Sequence, residues 1–152
     1  MPDKVRPPSV FNSNNMHPSA RQVMVLCVWV QYTLITAEAI NFIDNTPVGS
    51  RDEAYAIRVE GFCTRLAALL EEWKIEAATH EENISTRCRF VMADHIMNTH
   101  TMIIGIQRLA RSTSESRRVD CVSLASARKV VGLILEFYRN TTEDDTNFLA
   151  LQ

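Results

Sequence analysis

The chain lacks most of the short motifs that announce chemistry. Glycine is scarce, and Gly49, Gly61, Gly105 and Gly132 stand alone, so no glycine-rich loop is available to cradle a phosphate. Cys27, Cys63, Cys88 and Cys121 are widely spaced, with no C-x-x-C pair and no secretory segment before them. They are expected to be free thiols of a reducing compartment, mostly packed as small hydrophobes. Long apolar runs are also missing. The most apolar stretch, Val23 to Val30, is far too short to cross a bilayer, and no membrane contact is expected. Neither sign of charge dominates: 16 Lys and Arg stand against 18 Asp and Glu, for a formal net charge of -2. Any nucleic-acid contact must then come from local charge.

Metal and catalytic patterns are absent too. His95 and His100 are spaced i,i+5, about 140° apart on a helix and a poor chelating pair. Neither Glu-x-x-His nor His-Glu-x-x-His occurs. Glu71, Glu72, Glu76, Glu81 and Glu82 form the densest carboxylate group. They could serve a Mg²⁺-dependent phosphohydrolase, but no second acidic pair faces them, and a solvated acidic face is the simpler reading. No Ser, Cys or His sits in a nucleophile motif. The expectation is a protein that is not an enzyme, with no metal, no cofactor and no small-molecule substrate.

What is present is apolar helix. With 152 residues and a 46% apolar fraction, the chain suits one domain with a real core. Residues 1–19 hold Pro2, Pro7, Pro8 and Pro18 among Asn and Ser, and read as an N-terminal arm. A first helix follows to about Ile43. It is apolar nearly all round, which points to burial on more than one side and so to self-association. Asp44 to Gly49 is a turn. Ser50-x-x-Glu53 reads as a capping box for a second helix ending near Trp73, with Gly61 marking a possible close helix crossing. Thr79-x-x-Glu82 could cap a third helix, clearest from Phe90 to Ala110. A fourth runs from Ser116 or Asp120 to about Asn140. The expected fold is all-α: a four-helix up-down bundle over residues 20–140, with the extended arm before it and a short C-terminal tail, 141–152.

Positive charge is segregated on this scaffold. From Arg87 to Arg118 six arginines face only Asp94 and Glu115. Four of them, Arg108, Arg111, Arg117 and Arg118, flank the Ser112–Ser116 turn. Arginine suits bidentate phosphate contacts. A helix N-terminus beside the cluster adds backbone donors and a favourable dipole, and Ser123 adds a small hydroxyl donor. No aromatic residues interleave, so backbone-dominated, weakly sequence-specific binding is expected.

The stretch Arg117-Arg-Val-Asp120, followed by a helix containing Leu133-Ile-Leu-Glu136-Phe-Tyr-Arg139, resembles coat proteins of rod-shaped helical plant viruses, the tobacco-mosaic type (Virgaviridae-like). Arg89-Phe with Thr101-Met-Ile-Ile-Gly105-Ile is similar to the preceding helix of those proteins, and Glu72-Trp73-Lys74 to the end of their second helix. The resemblance spans roughly residues 60–140, and residues 117–139 align without gaps. It implies a structural protein that self-assembles helically around single-stranded genomic RNA, found in the virion and the host cytoplasm. Arg117 and Arg118 match the family's paired arginines, and Asp120 matches the Asp of that motif. Arg108 and Arg111 lie where the family carries arginines at the end of the preceding helix, though not in exact register, and Ala127 and Arg128 stand where the family has its next Arg and Ser. The chain departs from the family in its short inner turn, where Glu115 is the one carboxylate. The alternative is a small all-helical adaptor without nucleic-acid binding, using a groove for a partner helix.

Overall fold

The computed structural model describes residues 18–81, 84–111 and 121–149. Among them are five α-helices: α1 (Pro18–Asn45), α2 (Glu53–Glu72), α3 (Ile75–Thr79), α4 (Thr86–Ala110) and α5 (Cys121–Leu149), with a 3-10 turn at Val48–Ser50. The expected four-helix up-down bundle is therefore incorrect. The extra helix arises at Lys74, which takes a left-handed conformation (φ 51°, ψ 36°). That turn reverses the chain just after Trp73 and tucks Ile75, Ala78 and Thr79 into the core. A left-handed Lys costs roughly 1–2 kcal/mol, and burial of Ile75 offsets it.

Helix α4 is the axis of the fold. It packs against α1, α2, α3 and α5, whereas α1 and α5 share at most a marginal contact. Met92, Ile96, Ile103 and Ile106 of α4 are fully buried, and their spacing of three, four or seven residues keeps them on one face. They meet Phe62, Leu66, Leu69 and Leu70 of α2 and Met24, Val28, Ala39 and Ile43 of α1. Phe42 stacks on Tyr55 (5.4 Å between ring centres) and tilts against Phe62, closing one end of the core.

The caps differ from the expected ones. Asp52, not Ser50, opens α2: its carboxylate accepts from the Tyr55 N–H at 3.0 Å, while Ser50 belongs to the 3-10 turn. Ser85, not Thr79, opens α4 by accepting from the Cys88 N–H, and α4 starts at Thr86 rather than at Phe90. Both satisfy N–H groups that have no partner inside the helix. Gly61 marks no close crossing, because a Cβ there would meet nothing within 4 Å. Helix α5 continues past Asn140 to Leu149. The described cysteines are free, with Cys63 buried and Cys121 exposed rather than packed.

One expectation about α1 also changes. By length and composition the helix from Ala20 to Asn45 is long and apolar enough to cross a membrane. The run Val23–Val30 understated it because Thr33 and Thr36 interrupt the run without adding charge. Within the fold, Met24, Val28, Ile35, Ala39 and Ile43 bury one face of this helix.

Candidate functional site

Where α4 stops, Arg108 and Arg111 stand at the same end of the molecule as Arg51, Asp44, Asp52 and Glu53. The helix ends at Ala110 because Arg111 leaves helical geometry and its N–H turns back to the Arg108 carbonyl. Arg108 and Arg111 are both exposed there. A cation in the last turn also complements the partial negative charge of a helix C-terminus. Arg117, Arg118, Asp120 and the turn at Ser112–Ser116 lie outside the described residues.

Arg51 joins this end from another element and has a different role. Its guanidinium donates to the carbonyls of Leu109 and Ala110 at 3.4 Å and to that of Ile43 at 3.3 Å. It thus ties together the C-termini of α4 and α1 and lies across the Tyr55 ring, 5.2 Å from its centre. Sequence reasoning passed over it, since a single Arg beside a turn carries no pattern.

The remaining candidates sit further along α5. Ser123 is half-buried near its start. Arg128 is exposed, seven residues after Cys121 and so about 10 Å along the helix. It borders a crevice with Glu76, His80, Lys129 and Glu136, rather than the arginine tip.

That crevice belongs to a polar seam between α3, α4 and α5. Lys129 Nζ meets Glu76 Oε2 at 2.7 Å, and His80 Nδ1 lies 3.7 Å from Glu136 Oε1. His100 Nδ1 is 3.3 Å from Ser126 Oγ, while its Nε2 is 3.9 Å from Glu76 Oε1, too far for a hydrogen bond. Burial holds the His100 pKa below its ordinary value; Lys129 adds to that shift and Glu76 opposes it. The order Ser126, His100, Glu76 is that of a nucleophile, base and acid, but Ser126 is only 4% exposed and the His100–Glu76 distance exceeds a hydrogen bond. Glu71 and Glu72 are exposed, and Glu76 turns to Lys129. Among the described residues no group of three or more His, Cys, Asp or Glu side chains could hold a metal ion.

A second feature is apolar. Between α1 and the first turns of α4 lies a groove of about 600 Å³, lined by Val25, Leu26, Trp29, Arg87, Val91 and His95. Leu26 is 62% exposed and Trp29 45%. His95 is buried, stands edge-on to the Trp29 ring at 4.7 Å, and has no hydrogen-bond partner at Nδ1. Burial lowers its pKa, with Asp94 opposing. The outer face of α1 continues the apolar surface through Val23, Val30 and Leu34, and α5 exposes Val131, Ile134 and Leu135.

No family model matches the chain. No curated protein and no solved structure matches it either. Fold and site together define a helical protein with exposed arginines where α4 ends and exposed apolar residues on α1 and α5.

Proposed function

We propose that this chain is a structural coat protein that self-assembles around single-stranded RNA and binds its phosphates through arginines at the α4–α5 end. The observation that carries the reading is the pair of exposed apolar faces on α1 and α5, two helices that share at most a marginal contact. Contiguous exposed apolar surface marks interaction sites. Two different patches on one protomer suit a head-to-tail interface, which repeats into rings or filaments. The exposed Arg108 and Arg111 are consistent with phosphate contact, and the resemblance adds Arg117 and Arg118. A few arginines on one protomer bind RNA weakly, whereas repetition along an assembly makes the sum large and salt-dependent.

The test is RNA content. Replacing Arg117 and Arg118 with Ala should leave the fold and self-association intact while assemblies lose RNA, measured by absorbance ratio and nuclease protection. RNA-filled assemblies from that variant would contradict the assignment. The groove between α1 and α4 favours one other reading, a helical adaptor that receives a partner helix. A protein that stays monomeric and ignores RNA at low salt would support that instead.

A further inference from the structure

Helices α1 and α5 each carry a heptad seam on the surface of the molecule. In α1, Val23, Leu26, Val30, Thr33, Ala37 and Ile40 follow one another by alternating steps of three and four residues, and each is exposed. That spacing is the one by which two helices interlock side by side. In α5, Leu124, Arg128, Val131 and Leu135 follow by steps of four, three and four, and each is exposed. Trp29 and Leu34 widen the first seam, and Ile134 widens the second. Since α1 and α5 of one protomer share at most a marginal contact, neither seam covers the other within the molecule.

The polar residues fix how the two seams fit. Each has one polar position, Thr33 in α1 and Arg128 in α5. Toward the C-terminus the next seam residue is four away from Thr33 but three away from Arg128. Seams brought level at these two residues therefore match only when the helices run antiparallel. Ala37 then meets Leu124, Val30 meets Val131 and Leu26 meets Leu135, apolar against apolar. The Thr33 hydroxyl already donates to the Trp29 carbonyl at 2.9 Å, so it brings no unsatisfied donor into the contact. The aliphatic stem of Arg128 can lie across the seam while its head reaches water.

Charge selects the same pairing. Between Val23 and Ile40 the one charged residue is Glu38, and between Val122 and Leu135 the charged residues are Arg128 and Lys129. Pairing either helix with its own copy offers no opposite charge, whereas pairing α1 with α5 does. Arg128 makes no ion pair among the described residues. In the antiparallel register it lies about 7.5 Å along the axis from Glu38, within reach of an arginine side chain. Glu38 meets Arg65 through one oxygen, and a carboxylate accepts further bonds on the other. Covering the exposed apolar side chains of both seams would bury on the order of 1,000 Å² in all, the lower bound for a specific interface.

We propose that α1 of one protomer packs antiparallel against α5 of a second copy of this chain, with Thr33 level with Arg128. The two seams are different surfaces, so the contact is head-to-tail and repeats from copy to copy. The inference rests on the self-assembly reading and names the helices and register of one of its interfaces.

Charge placement tests it on the full-length protein by sedimentation velocity at low salt without RNA, with circular dichroism as the folding check. Both sites are exposed, so the fold should persist. Thr33→Lys should weaken self-association about tenfold in Kd, because it sets a second cation against Arg128. Arg128→Glu should weaken it less, and the two changes combined should restore it. Such recovery is not expected if α1 pairs with its own copy. Association like wild type in Thr33→Lys, or no recovery in the combination, overturns this contact while leaving self-assembly standing. A wild-type chain that stays monomeric overturns both, and its flotation with phosphatidylcholine vesicles would assign the apolar α1 to a bilayer instead.

Discussion

Arg51 and Ala110 are 59 residues apart in the chain, yet Arg51 Nη1 lies 3.4 Å from the Ala110 carbonyl oxygen. The same guanidinium reaches Ile43 at the end of α1. This end of the molecule thus contains two kinds of arginine. Arg51 closes helix ends, and Arg108 and Arg111 are exposed.

Arg51→Ala leaves the last carbonyls of two helices without this donor. Charge-assisted bonds are stronger than neutral ones, but these are long and half-exposed. The loss should be about 1–2 kcal/mol, read as a lower urea midpoint. RNA affinity per assembled protomer should keep its salt dependence, because Arg51 is already committed to carbonyls.

Replacing Arg108 and Arg111 together with Ala should cost less than about 1 kcal/mol of stability, the value of cations beside a helix C-terminus. Its effect should fall on RNA instead. If each arginine meets one phosphate, the slope of log affinity against log salt should flatten by about 1.4 for single-stranded RNA. An unchanged slope would remove both residues from the contact.

Stability should fall on mild acidification. His95 and His100 both have pKa values below the ordinary 6.5, with burial the largest cause. The unfolded chain then takes up protons at a higher pH than the native one. Their contribution is therefore complete above about pH 6.5 and is lost as pH falls through the lower native values. Urea midpoints should drop between about pH 7.5 and 5.5. The double variant His95→Phe, His100→Gln should show a flatter profile even if its absolute stability is lower.

Gly61→Ala should stabilise the protein by about 0.5–1 kcal/mol. The site lies inside α2, and an added methyl group would meet nothing within 4 Å. A loss of thermal stability on this change would mean that Gly61 lies against another surface in an assembly.

The amphipathic faces of α2 and α4 were legible because their apolar spacing follows the helical period. Leu66, Leu69, Leu70 and Ile96, Ile103, Ile106 are buried. Helix α3 was not legible, since its start depends on a left-handed Lys74 where a glycine would have signalled the turn. Thr79-x-x-Glu82 and Ser85 offered competing caps, and only packing of α3 decides between them. The extension of α5 past Asn140 was hidden because residues there are polar, which removes periodicity without preventing helix. The seam of Glu76, His100, Ser126 and Lys129 draws on three helices up to 53 residues apart, a distance at which spacing carries no signal. Of the candidate arginines, Arg108 and Arg111 do share an exposed end, while Arg128 lies along α5 beside carboxylates.

The most direct test of the central claim is negative-stain electron microscopy of the purified chain, at low salt, with and without single-stranded RNA. The account predicts rods or stacked rings whose length with RNA follows the length of the RNA added. Dispersed monomers or dimers that do not change when RNA is added would contradict it.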